Sequence, residues 1–264
     1  MERIERYEDL APLLSAQLKK GVYTNHVLSR DETEREIAAG LAVEAFDGGL
    51  WIARRRGDHD LLTLYLQQGA APTVPILERT TVTEVVWRPR EAQRAAEVVE
   101  VLRQLGFQDL FRRARREKAA EPVEQVPEGV VFPGGDRAEA VHDFLTAQFD
   151  SLTGCIPQLP RLREQLERGE AAVLEDDQGI RGVLHFAPGR NAMEIRHLAV
   201  RADCRGQGLA GTLLAAALGQ CGGVKCQVWA RQGNVPAEAF YEHHGFRKDG
   251  WQSAVLSIGG KEHI

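Results

Sequence analysis

The stretch from Glu194 to Gly211 constrains this chain more than any other. A run of strand character, Glu194-Ile195-Arg196-His197-Leu198-Ala199-Val200, passes through Arg201-Ala202-Asp203-Cys204-Arg205-Gly206-Gln207-Gly208 and enters an uncharged helical run from Leu209 to Gln220. A strand that feeds through glycines straight into a helix points its turn amides outward, and the helix dipole adds partial positive charge there. Glycines also keep side chains out of an approaching ligand's way. The pattern predicts a cradle for a phosphate or pyrophosphate, with Arg205 adding charge. It also demands an α/β fold, in which a sheet carries this strand and a helix packs on it.

Composition narrows what such a fold serves. The 264 residues are 43% hydrophobic and 27% charged, enough for one large domain or two small ones with a sizeable core. No run approaches the ~18–20 apolar residues of a membrane helix. The opening Met1-Glu2-Arg3-Ile4-Glu5-Arg6 alternates charge where a signal peptide would be apolar. The expectation is a soluble, cytoplasmic protein without a membrane partner. A net charge of -5 argues against nucleic acid as a partner, because phosphate neutralisation calls for a basic surplus. Two local basic runs, Arg54-Arg55-Arg56 and Arg112 to Lys118, read as a solvated strand edge and a solvated linker. The cysteines Cys155, Cys204, Cys221 and Cys226 form no C-x-x-C pair and lack ligand-spaced histidines, so reduced thiols and no metal are expected.

The sharpest break along the chain lies between Arg112 and Gly135, where Pro122, Pro127, Gly129, Pro133, Gly134 and Gly135 punctuate the sequence. It predicts a domain over 1–118, a linker over 119–128 and a second domain over 129–264. In the first half, helical signals at Leu10–Leu18 and Arg30–Ala39 precede strands at Leu41–Phe46, Leu50–Arg54, Leu61–Leu66 and Val82–Trp87. An amphipathic helix follows from Arg90 to Leu105. In the second half Asp136 reads as the N-cap of a helix, followed by a helix at Leu159–Arg168. Strands at Ala171–Leu174, Ile180–Phe186, Glu194–Val200, Val224–Ala230 and Ser253–Ile258 enclose helices at Leu209–Gln220 and Pro236–His244. The halves rhyme at Leu105-Gly106-Phe107 and His244-Gly245-Phe246, each a helix stopped by glycine before a strand.

Two readings of the cradle compete. Gly206-x-Gly208-x-x-Gly211 satisfies the dinucleotide fingerprint, but that reading needs an acidic residue about 20 positions on, at the end of the next strand. No Asp or Glu occurs between Asp203 and Glu238, so it fails on context. Arg205-x-x-Gly208-x-Ala210 instead resembles the R/Q-x-x-G-x-G/A signature of the GNAT superfamily of N-acetyltransferases. Asn234 followed by Phe240-Tyr241-Glu242-His243-His244-Gly245-Phe246 is similar to that family's second motif. The resemblance covers about 130 residues, from the linker to the C-terminus.

The resemblance implies two GNAT-like domains, each a mixed, mostly antiparallel sheet flanked by helices. Two splayed parallel strands, Glu194–Val200 and Val224–Ala230, would flank the cofactor in the second. It implies acetyl-CoA as co-substrate, with the pyrophosphate on amides of Arg205, Gly206, Gln207, Gly208, Leu209, Ala210 and Gly211. The backbone of Leu198, Ala199 and Val200 would meet the pantetheine arm, Val200 N–H would polarise the thioester carbonyl, and Asn234 would bond the same arm. Tyr241 matches the general acid that protonates the leaving thiolate. Glu194 matches a carboxylate that takes the amine's proton, and His197 is its rival, since an imidazole has a suitable pKa. Strand alternation puts Glu194 and His197 on opposite faces unless a bulge intervenes. Cys204 stands where the family more often has a polar or aromatic residue, and reads as a packed thiol.

The first half has no glycine between Val82–Trp87 and its following helix, so it reads as a degenerate GNAT-like domain without a cradle. The uncharged helix from Leu209 on predicts a cover over its outer face, supplied by the N-terminal half or by a second subunit in a homodimer. The function expected is acetyl transfer to a primary amine of a small molecule, amino acid or peptide. The alternative is a binding module that senses acetyl-CoA without turnover.

Overall fold

The computed structural model describes residues 1–75, 77–122 and 127–259. Helices and strands alternate in a mixed α/β arrangement whose sheets are mostly antiparallel. Among the described residues no helix is long and apolar enough to cross a membrane. Contacts divide the chain into two units. One comprises residues 1–113 with the C-terminal strand from Gly250, and the other residues 114–249. These divisions differ from the sequence boundaries at 118 and 129 because two long strands each serve both units.

The first unit contains β1 (Glu2–Arg3), α1 (Tyr7–Ala16), β2 (Tyr23–Thr24), α2 (Arg30–Ala38), β3 (Ala42–Phe46), β4 (Gly49–Arg56), β5 (His59–Leu66), β6 (Thr81–Trp87) and α3 (Ala92–Gln104). It also holds the start of β7 (Gln108–Lys118). Ser29 caps α2 in a reciprocal capping box with Glu32, as a short helix without a large apolar face requires. The final strand, β12 (Arg247–Ile258), runs antiparallel to β6 from Gln252↔Trp87 to Ile258↔Thr81. Its Ala254 and Leu256 complete a core with Val98, Val99 and Leu102 of α3. Sequence alone places Ser253–Ile258 in the second domain; long-range pairing decides otherwise.

β5 and β6 are parallel and pair only from Asp60↔Thr81 to Leu62↔Thr83. Past that point β2 bridges them. Tyr23 and Thr24 pair with Leu66 and Tyr65 of β5. The Asn25 carboxamide accepts from Leu64 N–H at 2.8 Å and donates to the Glu84 carbonyl at 2.9 Å. The Tyr23 hydroxyl accepts from Val86 N–H at 2.8 Å. The parallel pair β5/β6 leads into a helix and then Gly106-Phe107, so the place for a cradle in this half is the connection 67–80, not the segment after Val82–Trp87. No helix forms there among the described residues.

The second unit holds α4 (Ala138–Gln148), α5 (Leu159–Glu167), β8 (Ala171–Asp176), β9 (Gly179–Ala187), β10 (Ala192–Val200), α6 (Leu209–Gln220), β11 (Lys225–Arg231) and α7 (Val235–His243). Two apolar clusters flank its sheet. One unites Leu213, Leu214 and Ala217 of α6 with Phe186, Ile195 and Val228, and the other packs Val141, Leu145, Leu162 and Leu166 on Val173 and Val183. A short 3-10 turn over Gly135–Arg137 precedes α4 and makes Arg137, not Asp136, its N-cap.

The basic run Arg112–Lys118 is strand β7, not a solvated linker. Alternation and acidic partners make this viable. Arg113 pairs with Glu84 at 3.1 Å, Arg115 with Asp249 at 2.6 Å, and Lys118 with Glu121 at 2.6 Å. Arg116 is buried and reaches Glu242 of α7 at 3.0 Å and Glu238 at 3.7 Å. A paired guanidinium survives burial where an unpaired one would not.

Candidate active site

β10 and β11 are parallel and registered from Ala192↔Lys225 to Ile195↔Val228, and no pair is registered beyond. On its other edge β10 stays paired to β9 through Val200↔Gly182. The facing edges of Arg196–Val200 and Trp229–Arg231 therefore diverge, which opens a gap lined by backbone. This is the splay predicted from Glu194–Val200 and Val224–Ala230.

The mouth of that gap carries the glycine turn. Gly206 and Gly208 have φ of 76° and 77°, and a Cβ built on either meets nothing within 4 Å. The amides of Gly206, Gln207, Gly208, Leu209 and Ala210 donate to no protein group among the described residues. Five outward amides at the start of a twelve-residue helix suit an anionic pyrophosphate. The exposed Arg205 turns back, its Nε donating to the Val200 carbonyl at 3.2 Å, and so ties the turn to the gap. Arg201 braces it from behind through Asp176 at 2.9 Å and Asp203 at 2.8 Å. Cys204 is buried beneath this brace.

Gly211 differs from the other glycines of the turn. Its amide donates to the Gly208 carbonyl at 3.0 Å, and an added Cβ would stand 2.9 Å from the His244 ring. Its missing side chain leaves room for the His244 ring, just past the end of α7. Gly211, Leu214, Ala215 and Leu218 still line a shallow hollow of about 380 Å³ with Lys118 and His243–Gly245.

α7 carries two predicted site residues. Asn234 caps it, its Oδ1 accepting from Ala237 N–H at 3.2 Å, which leaves the exposed carboxamide NH2 for a ligand. Tyr241, one face inward, is buried against Phe240 and Phe246 with ring centroids 5.2 Å away in each case. Burial, with the nearby Cys226 thiol, pushes its ionisation far above the usual phenol value. The hydroxyl therefore keeps its proton and is suited to give it only to a strongly basic partner.

The two candidate bases share a face. β10 carries a bulge between Ile195 and His197, because Ile195 faces Phe186 and His197 faces His185. Arg196 is the extra residue, and it turns His197 to the side of the sheet occupied by Glu194. Glu194 is one-third exposed and lies 3.3 Å from Arg196. His197 is buried, with its Nε2 2.7 Å from the Gly154 carbonyl and its Nδ1 3.0 Å from His185 Nδ1. A carbonyl only accepts, so His197 donates from Nε2 and accepts from His185 at Nδ1. Both ring nitrogens are engaged, which leaves Glu194 the better-placed carboxylate.

His185 was not picked out from the sequence, since a single histidine in an apolar strand gives no signal. Burial, then the charge of His197, lowers its pKa to about 3. The unfolded chain takes up this proton near pH 6.5 while the folded one does not, so stability present above pH 6.5 is lost as pH falls towards 3. Thermal unfolding should show this slope, up to about 1.4 kcal/mol per pH unit, and His185→Leu should flatten it.

Parallel splayed strands with a glycine turn between strand and helix form a backbone-lined gap that an extended, phosphate-bearing ligand can enter. Residues 167–248 match the model of the acetyltransferase (GNAT) domain. This segment, which holds β8 to β11 with the glycine turn, α6 and α7, is similar to a GNAT acetyltransferase domain. A comparison with curated protein sequences finds no match. Among solved structures, a GCN5-related N-acetyltransferase from Sphaerobacter thermophilus aligns over 80% of this chain and 76% of its own, with TM-score 0.56 and 14% identity. A GNAT-family acetyltransferase from Colwellia psychrerythraea covers 97% and 98%, with TM-score 0.53 and 15% identity. A tandem GNAT protein from the clavulanic acid biosynthesis pathway covers 98% and 90%, with TM-score 0.52 and 12% identity. At these identities the likeness is one of fold, and it extends over nearly the whole chain.

Proposed function

We propose that this protein transfers an acetyl group from acetyl-CoA directly to a primary amine of a small molecule, amino acid or peptide. The observation that carries the reading is the gap between β10 and β11, which ends at five amides of the α6 turn that have no partner among the described residues. The residues present fit the cofactor. Gly206–Ala210 amides would hold the pyrophosphate, the Leu198, Ala199 and Val200 edge and the Asn234 amide would hold the arm, and Val200 N–H would polarise the carbonyl. Bound acetyl-CoA would supply an activated thioester.

In the transfer, the amine nitrogen bonds the thioester carbon as one proton leaves towards Glu194, directly or through water. The C–S bond then breaks, and Tyr241 gives its proton to the departing sulfur. Backbone donors along the gap stabilise the oxyanion without reorganisation, which is the main source of acceleration at such sites.

In the first unit the corresponding gap is occupied by Tyr23, Thr24 and Asn25, and no helix forms among the described residues of its connection. We read it as a degenerate half that takes no cofactor. Calorimetric titration of acetyl-CoA into the full chain should give one site per chain, followed by free-thiol release once an amine acceptor is supplied. Two equal sites would show that β2 yields to pantetheine, and no binding would remove the acetyl-CoA reading altogether.

A further inference from the structure

His197 is buried against the α4–α5 connection through Gly154 and Phe149. The loop it touches is tightly determined. The Asp150 carboxylate accepts from Thr153 N–H at 2.9 Å and from the Thr153 hydroxyl at 3.1 Å, and Gly154 N–H donates to the Asp150 carbonyl at 2.8 Å. Gly154 has no room for a side chain, since a Cβ there would stand 2.5 Å from the Asp150 carbonyl oxygen. The next residue, Cys155, has φ of 54°, the left-handed region, and it is the one non-glycine residue so placed among the described residues. A non-glycine residue stays in that region only where its surroundings hold it.

His197 closes this turn from beneath. Its Nε2–H reaches the Gly154 carbonyl at 2.7 Å, and its ring meets the edge of Phe149, at the loop's start, with centroids 5.1 Å apart. His185 lies edge to edge with it, the rings nearly coplanar at 10°, and donates to its other nitrogen. That second hydrogen bond fixes the tautomer, so Nε2 always presents its proton to the loop. His197 is also the residue before Leu198 on β10, just past the last β10–β11 pair. One imidazole thus joins the first turn of an exposed loop to the strand edge where the gap opens.

We infer that His197 is a positioning residue: it latches the loop 149–155 beside the closed end of the β10/β11 gap, where the strands part, with His185 holding its tautomer, and does not take the amine's proton. The inference deepens the acetyl-transfer reading and rests on it for the meaning of the gap. The bulge at Arg196 then has a purpose, since without it His197 would face α6 and the loop would lose its anchor.

The test uses the full chain and hydrogen exchange at individual amides. In His197→Phe, which keeps the ring's volume but neither nitrogen, Thr153 and Gly154 amides should exchange at least tenfold faster, while Ala172 and Val173 in β8 stay protected. In His197→Gln, whose amide can reach the Gly154 carbonyl, protection of the loop should return to within threefold of wild type. Titration with acetyl-CoA runs in parallel, so that a failure of the cofactor reading is seen separately from a failure of the latch. Unchanged loop exchange in His197→Phe would overturn the inference. If His197→Phe also loosens β8, His197→Gln decides alone: protection like wild type supports the latch, and a loosened loop overturns it.

Discussion

Tyr241→Phe should lower turnover by about 10²- to 10³-fold while acetyl-CoA affinity changes less than threefold. The substitution removes one oxygen from a side chain packed between Phe240 and Phe246, and the ring that fills this space remains. What is lost is the proton for the leaving thiolate. Because burial holds the phenol protonated, the wild-type rate should show no ionisation of this group below pH 10. A basic limb below that pH would have to come from another residue. Steady-state turnover beside calorimetry checks both halves of the statement. Equal turnover in the two proteins would remove Tyr241 from the mechanism and leave solvent to protonate the sulfur.

Gly206→Asp should weaken acetyl-CoA binding by about 100-fold, which corresponds to ~2.7 kcal/mol, with little change in thermal stability. Gly206 is exposed, a Cβ meets nothing nearby, and Asp tolerates positive φ better than most residues. The fold therefore accepts the side chain. The cradle does not, because a carboxylate would stand where five amides await a diphosphate. Gly206→Asn separates charge from bulk: it should bind at least tenfold better than the Asp variant. Equal affinity in Asp, Asn and wild-type proteins would place the pyrophosphate elsewhere. Isothermal titration with acetyl-CoA, with thermal unfolding as control, reads the result.

These two expectations rest on elements whose bounds the local sequence predicts closely. The helix Leu209–Gln220 has the predicted ends, because Gly208 in the left-handed region fixes its start. The strands around it and Tyr241 on α7 likewise lie within a residue or two of their predicted bounds. Other features escaped. The run Arg112–Lys118 looked like solvent-exposed linker because charge was counted without partners, and its partners Glu84, Asp249 and Glu242 are distant in sequence. The two-residue strand β2 carries too few residues for any periodic signal, yet it fills the first unit's gap.

Sequence by itself determined the local grammar of the site: a strand, a turn with glycines where φ must be positive, an uncharged helix, and an aromatic helix capped by Asn234. Each of these follows from backbone sterics and hydrophobic period over a few neighbouring residues. Tertiary structure alone decided which strand completes which unit, since β12 closes the first unit's sheet through pairing with β6. It alone decided the face on which His197 lies, because one bulged residue reverses every side chain after it. And it alone brought the His244 ring, distant in the chain, to within 2.9 Å of where a side chain on Gly211 would begin.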